Sequence, residues 1–303
     1  MRTRWNLVLV ISMALNVYLI LPEGSRDWTQ IFIKRSSRDV KSNGVNSSNS
    51  SSVHNTTVHH TLAVMIVSAP ANQDRRNVLR NTWLNGYEQR KYHVRFVIGT
   101  GNLTDYHTQD LIEENSTHHD IILLDLEDHY EQLSHKVLAG LVWFARNIDF
   151  SYLLKCDDDS FALLDKIESN LHQRNHTHGL YWGYFVSNAR PFTEGKFAEP
   201  EWKFCDHYFP YAFGGGYVLS ADVVHRIAHN ADALIVYNNE DVSVSAWTIS
   251  YDIERRHDVR FDTAEVSRGC RNTFLVTHKQ SIQDMKQKHA VYVNSGIICK
   301  EET

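Results

Sequence analysis

Tyr152-Leu153-Leu154-Lys155-Cys156-Asp157-Asp158-Asp159-Ser160-Phe161 is the stretch on which the fold of this chain turns. Tyr152-Leu153-Leu154 reads as a buried strand, and the apolar run that Cys156 ends meets three carboxylates directly. In an open α/β sheet, ligands bind beyond the carboxyl ends of the strands. Three carboxylates packed there repel one another unless a cation offsets them, and hard divalent ions such as Mg²⁺ and Mn²⁺ prefer oxygen ligands. The plainer alternative is an acidic loop that caps the next helix at Asp159 or Ser160.

The flanking sequence supports the strand. Leu62–Val67, Val94–Gly99 and Ile121–Leu124 are further apolar runs. Helical patterns follow them: one from a cap at Asn72 to about Leu84, then one near 104–115 and one over 131–147, where Leu133, Val137, Leu141 and Phe144 recur. A further helix is expected over 161–171. Strand alternating with helix for this long predicts an α/β fold with a doubly wound, mostly parallel, Rossmann-like sheet. The second half is less regular, with a Gly-rich strand at 211–219 and helices near 221–229, 241–250 and 280–289. Residues 61–303 are expected to form one domain.

The N-terminal part has a different texture. Arg2 and Arg4 precede an apolar run, Trp5 to Leu21, that Pro22 ends. Its length is at the lower limit for spanning a bilayer, and no small-residue cleavage site follows, so 5–21 is read as an uncleaved signal anchor. The charges keep residues 1–4 cytoplasmic and place the rest in the lumen, in a thin membrane of the secretory pathway. Residues 22–60, with their Ser/Asn tract, read as a disordered stem. Six glycosylation sequons, at Asn46, Asn49, Asn55, Asn102, Asn115 and Asn175, fit a lumenal glycoprotein. The four cysteines allow three full pairings. Cys156 is expected buried and unpaired, and Cys270 with Cys299 is the leading pair. A net charge of −5 argues against a nucleic-acid partner, and eighteen histidines are so scattered that composition alone accounts for most of them.

Other candidates carry weaker signals singly. Gly214-Gly215-Gly216 lets backbone approach a ligand, or marks a bulge. Glu240-Asp241-Val242 begins a helix, where acidic residues suit the dipole, yet either carboxylate can serve as a general base. Arg76 and Arg80 share a helix face with Trp83, with Arg75 beside it, and guanidinium groups at a strand–helix junction suit a diphosphate. His278 follows an apolar segment and is either structural or a metal ligand.

Taken in order, Arg75-Arg76-x-x-x-Arg80-x-Thr82-Trp83, Asp157-Asp158-Asp159-Ser160-Phe161, Gly214-Gly215-Gly216-Tyr217-Val218-Leu219-Ser220 and Glu240-Asp241-Val242 resemble the β-1,3-galactosyltransferase family of Golgi enzymes with a GT-A fold. The resemblance spans roughly residues 61–300. It implies an inverting transfer from UDP-galactose assisted by Mn²⁺ in a Golgi type II membrane protein. Asp159, with Asp157 or Asp158, would hold the metal, and His278 would be a further ligand. Asp241 would be the base, with Glu240 the alternate. Arg75, Arg76, Arg80, Asp157, Asp158 and Gly214 to Gly216 would contact the donor. Within the family, Leu180-Tyr181-Trp182-Gly183, Tyr208-Phe209-Pro210-Tyr211-Ala212, Arg260-Phe261-Asp262-Thr263, Ser267-Arg268-Gly269-Cys270 and Leu275 to Ser281 look most like members acting on galactosyl-xylosyl-protein, the linkage region of heparan and chondroitin sulfate proteoglycans. Members making other β-1,3-galactosyl or N-acetylglucosaminyl linkages are the alternative. Cys156 departs from the small residue expected before the triplet. A glycoside hydrolase also pairs carboxylates, but an anchored stem and a triplet at a strand end disfavour it. A non-catalytic lectin would not need both acidic motifs.

Overall fold

The computed structural model describes residues 58–86, 91–101, 103–174 and 177–302. The anchor at 5–21, nearly all of the stem, and the sequons at Asn46, Asn49, Asn55, Asn102 and Asn175 lie outside the described residues. Among the described residues, no helix is long and apolar enough to cross a membrane.

The elements in chain order are β1 (His59–Val67), α1 (Gln73–Asn81), β2 (Tyr92–Gly99), α2 (Asp105–His118), β3 (Ile121–Leu124), α3 (Leu133–Asn147), β4 (Asp149–Asp157), β5 (Phe161–Ala162), α4 (Leu164–His172), β6 (Leu180–Val186), β7 (Tyr211–Ser220), α5 (Ala221–His229), α6 (Glu240–Thr248), β8 (Glu254–His257), β9 (Phe261–Asp262), β10 (Val276–Thr277) and α7 (Ile282–Ser295). The main sheet has the order β3-β2-β1-β4-β7-β6-β8. β3, β2, β1 and β4 are mutually parallel, as the alternating pattern predicts, and β7 enters antiparallel between β4 and β6. A small sheet, β5-β10-β9, packs beside the strand end that carries the triplet.

Period-two alternation divides the core into two layers. Leu62, Val64 and Ile66 of β1 and Tyr152, Leu154 and Cys156 of β4 face one layer, shared with residues of α1, α4 and α7. Ala63, Met65 and Val67, with Leu153, face the other, shared with α3, α5 and α6. These strands are buried on both faces, so their sequences read as continuous apolar runs rather than as alternations.

Two boundaries and one cap differ from the sequence reading. β1 starts at His59, two residues inside the expected stem, because His59 and His60 pair with Asp149 and Phe150 on β4. The helix expected from Phe161 starts at Leu164, since Phe161 and Ala162 pair with β10 instead. Asn72 does sit at the N-cap of α1, but its side chain makes no capping bond. Cys270 and Cys299 are disulfide-bonded, while Cys156 is buried and free and Cys205 is exposed and free.

Candidate functional site

β4 delivers its carboxylates at the edge of a cavity of about 630 Å³. Asp157 is the last residue of the strand, and its Cα pairs in register with Val67 at the end of β1. The triplet does not act as a unit. Asp157 and Asp159 each present an oxygen toward His278, whose Nε2 lies 3.5 Å from Asp157 Oδ2 and 3.0 Å from Asp159 Oδ1. Among the described residues, these three side chains form a group able to hold a metal ion, with ligand atoms within 4.8 Å of one another. Asp159 Oδ1 is buried and makes no hydrogen bond of good geometry. Two carboxylates and an imidazole suit a divalent ion of the Mn²⁺ type. Burial works against charge on His278, but the carboxylates of Asp157 and Asp159 outweigh it and raise its pKa to about 9.

Backbone contacts hold His278 in place. Its N–H donates to Asp262 O, and the N–H of Gln280 donates to Asp159 O, each at 2.8 Å. Lys279 between them takes φ of 59°, a left-handed conformation uncommon outside glycine. Such strain persists where its surroundings enforce it, often at sites of function.

Asp158 turns the other way, which corrects its reading as a metal ligand. Its Oδ2 accepts from Ser68 Oγ at 2.7 Å and from Asn72 Nδ2 at 2.9 Å. Burial raises its pKa against those two hydrogen bonds. The expected helix cap, Asn72, is therefore spent on Asp158. Asp158 still lines the cavity, with Ser68 and Asn72 beside it.

Lys155 is a site residue that the sequence reading passed over. It lies two residues before Asp157, on the strand face that meets α6, and is 1% exposed. Its Nζ donates to Asp157 Oδ1 (2.9 Å), to Gly214 O (2.7 Å) and to Glu240 Oε2 (3.1 Å). Burial opposes its charge, but Asp157 and Glu240 outweigh that and raise its pKa. In the same way burial would lift Asp157, yet Lys155 and His278 hold it below the usual carboxylate range. One buried ammonium thus joins the metal-type cluster to the start of α6.

Lys155 also separates the two acidic candidates on α6. Glu240 is buried and engaged with Lys155, and Tyr217 donates its hydroxyl proton to it. With both oxygens bound, Glu240 is a positioning group, and its reading as alternate base is corrected. Asp241 is half-buried on the cavity wall and accepts from its neighbour Val242 N–H at 2.9 Å. Burial, and then the charge of Glu240, push its pKa up to about 7. A carboxylate poised there is matched to proton abstraction near neutral pH.

The three glycines serve packing. A Cβ on Gly214 would sit 2.6 Å from Glu240 Oε2, and one on Gly215 would sit 2.5 Å from the His278 ring. Both line the cavity. Gly216 does not, because it faces Val276 of the small sheet, where a Cβ would come within 2.9 Å; its donor-binding reading is corrected.

Two of the arginines are also reassigned. Arg76 is wholly buried and bidentate to Glu114 on α2, at 2.8 and 2.6 Å. Arg80 is bidentate to Asp120 at 2.9 Å and also 2.8 Å from Glu114. These guanidinium groups lock α1 to α2 and are not part of the cavity wall. Arg75 donates to Gln280 O at 3.2 Å, and its charge reaches Asp158, so it lies at the edge of the site. Among the sequons, Asn115 lies on α2, and its Oδ1 accepts from Ile121 N–H at 2.9 Å.

Comparison with known proteins agrees with this geometry. A sequence model described as Galactosyltransferase matches residues 74–259. The chain is 45% identical over 248 residues to Beta-1,3-galactosyltransferase 6 of Mus musculus, covering 80% of this chain and 76% of that one. It is 38% identical to UDP-GalNAc:beta-1,3-N-acetylgalactosaminyltransferase 2 of Danio rerio, over 45% of this chain and 28% of that one. With Beta-1,3-galactosyltransferase GALT1 of Arabidopsis thaliana it shares 27% identity, over 74% of this chain and 36% of that one. The chain therefore spans about three quarters of the mouse protein's length but only about a third of the other two. Because the match runs through both the carboxylate end of β4 and the acidic start of α6, the chain belongs to the galactosyltransferase family and is a glycosyltransferase.

Proposed function

We propose that this chain transfers galactose from UDP-galactose to the 3-hydroxyl of the galactose in galactosyl-xylosyl-protein, building the glycosaminoglycan linkage region of proteoglycans. In this reading it is a single-pass type II protein of the Golgi membrane, anchored by residues 5–21, with its folded domain in the lumen. The observation that carries the chemistry is one cavity holding both the Asp157–Asp159–His278 cluster and Asp241, joined through Lys155 and Glu240. The 45% identity with a mouse beta-1,3-galactosyltransferase supports β-1,3-galactosyl transfer, and the linkage-region acceptor rests on the resemblance carried by stretches such as Ser267-Arg268-Gly269-Cys270.

Asp157, Asp159 and His278 would hold Mn²⁺, which when bound would offset the charge gathering on the departing diphosphate. Asp158, fixed by Ser68 and Asn72, lines the donor side. The acceptor oxygen forms its bond to the anomeric carbon as the bond from that carbon to the diphosphate breaks. The hydroxyl proton passes to Asp241, and the bonding electrons leave with UDP. Attack opposite the leaving group inverts the anomeric centre. Lys155 and Tyr217 hold Glu240, and so fix the helix start that aims Asp241.

The decisive experiment incubates the purified domain with a panel of UDP-sugars and a galactosyl-xyloside, with and without Mn²⁺. Transfer of galactose alone, lost on chelation and in Asp241→Asn, is the expected result. Preference for UDP-N-acetylgalactosamine or UDP-N-acetylglucosamine, or full activity under chelator, would overturn it.

A further inference from the structure

The segment between β6 and β7, residues 187–210, has no regular helix and crosses the mouth of the cavity. It is nevertheless firmly held. Glu199 is 4% exposed and accepts from the backbone N–H of Asn239 at 3.0 Å. Asn239 Nδ2 donates to Phe197 O at 2.9 Å, and Asn238 Nδ2 donates to Ala198 O at 3.0 Å. These bonds tie the segment to the two residues preceding Glu240 and Asp241. Its position is therefore set by the same helix start that carries the base.

The cavity face it builds is aromatic. Phe192, Phe197 and Tyr208 from the segment, with Tyr130 and Tyr211 from beside it, all line the cavity. Tyr130 packs edge-on against Phe197 at 5.8 Å and donates to Asn239 Oδ1 at 3.2 Å. Phe192 is 53% exposed and lies beside Phe197, with ring centroids 6.1 Å apart, so an apolar surface is open at the cavity. Tyr208 is 4% exposed, and its hydroxyl lies near the Phe192 backbone and the Asn239 side chain without closing a hydrogen bond of good geometry to either. Burial and then the charge of Asp241 raise the pKa of both Tyr130 and Tyr211, so both rings lie within electrostatic reach of the base. The exposed phenyl and the loosely held hydroxyl both border the cavity.

We propose that the 187–210 segment is the acceptor-recognition element, that the C–H face of the acceptor's terminal β-galactoside packs on the wall of Phe192, Phe197 and Tyr130, and that the Tyr208 hydroxyl bonds a hydroxyl of that sugar. β-Galactopyranose carries its axial 4-hydroxyl on one face, which leaves the hydrogens of carbons 3, 4 and 5 as an apolar patch on the other. A flat aromatic surface beside one polar tip complements that shape. The wall and the base share the tether through Asn239, so docking the ring there holds a sugar hydroxyl within range of Asp241. The inference rests on the transferase reading of the site and adds which residues select the acceptor.

Two variants test it, Phe192→Ala at an exposed ring and Tyr208→Phe at the loosely held hydroxyl. Acceptor KM for a galactosyl-xyloside is expected to rise about tenfold in Phe192→Ala and about three- to tenfold in Tyr208→Phe. UDP affinity with Mn²⁺, read by calorimetry, should stay within twofold, and Tyr208→Phe should melt no lower than the parent. A structural role for Tyr208 would instead lower the melting point and leave KM alone. Unchanged acceptor KM in both variants overturns the proposal. Saturation-transfer NMR of methyl β-galactoside with UDP and Mn²⁺ reads the wall independently of turnover. A transfer signal that disappears in Phe192→Ala supports it, and an equal signal in parent and variant refutes it. If the parent binds no UDP-sugar at all, the donor reading fails, and that result is separate from the NMR outcome.

Discussion

Asp241→Asn should make the protein more stable while abolishing its turnover, and the size of the gain follows from one pKa. In the fold, burial and Glu240 push the Asp241 carboxyl from its usual 3.8 up to about 7. Below pH 4 the side chain is protonated in both folded and unfolded chains, so it contributes nothing. Between pH 4 and 7 the unfolded chain ionises first, and stability is lost steadily as pH rises. Above pH 7 the penalty levels off at roughly three pH units, about 4 kcal/mol at about 1.4 kcal/mol per unit. Asparagine cannot ionise and can still accept from the Val242 N–H, so it escapes the penalty. For a domain of this size, that predicts a melting point higher by roughly 10 °C at pH 8 and nearly unchanged at pH 4. Thermal unfolding of both proteins in chelator, from pH 4 to pH 8, measures the difference. In the same variant kcat should fall by about 10² to 10⁴, the usual contribution of a general base, with UDP affinity retained. A stability difference that does not change with pH, or a less stable variant at pH 8, would refute the assignment of Asp241 as a strained base.

Three further outcomes concern Glu240, Arg76 and the disulfide. In Glu240→Gln the like charge beside Asp241 disappears, so the acid limb of the kcat profile should move below pH 7 by about one unit; an unmoved limb places the base elsewhere. Arg76→Met removes the bidentate partner of buried Glu114 and leaves it Arg80 alone, which should cost about 3 kcal/mol by urea unfolding, the low end for a broken buried pair, whereas a donor-binding arginine would lower UDP affinity and spare stability. Replacing Cys270 and Cys299 together by Ser should cost about 3–4 kcal/mol, the loop entropy of a crosslink spanning 29 residues, with kcat preserved in the folded fraction.

The parallel half of the sheet is legible in the sequence because its strands are buried on both faces and so appear as unbroken apolar runs. Asp157, Asp159, His278 and Asp241 are legible only as an ordered set, because each alone has an ordinary use as a cap, a dipole partner or a packed imidazole. The direction of Asp158 is not legible, since neighbouring side chains on an extended end point opposite ways and their partners, Ser68 and Asn72, lie on another strand end and helix. Arg76 and Arg80 mislead for a related reason: a basic helix face looks the same whether it meets phosphate or Glu114 and Asp120. Lys155 escapes notice because a lysine inside an apolar run reads as an edge residue until β7 and α6 are packed over it. Glu199 sits in a stretch without periodicity, where only its tertiary bonds to Asn239 give it meaning.

The Lys155–Asp157 pair also acts as a ruler. Two residues along an extended strand cover about 6.6 Å and return the side chain to the same face. The separation between the carboxylate that faces the metal position and the ammonium that grips the base-bearing helix is thus set by backbone pleat. A one-residue insertion between them would turn Lys155 toward the opposite layer of the core and unhook Glu240. The 187–210 segment has no such register, being fastened through Phe197, Ala198 and Glu199 to Asn238 and Asn239 and through Pro210 to Ser245. Lengthening or trimming it between those fasteners would reshape the aromatic wall and leave the ruler intact.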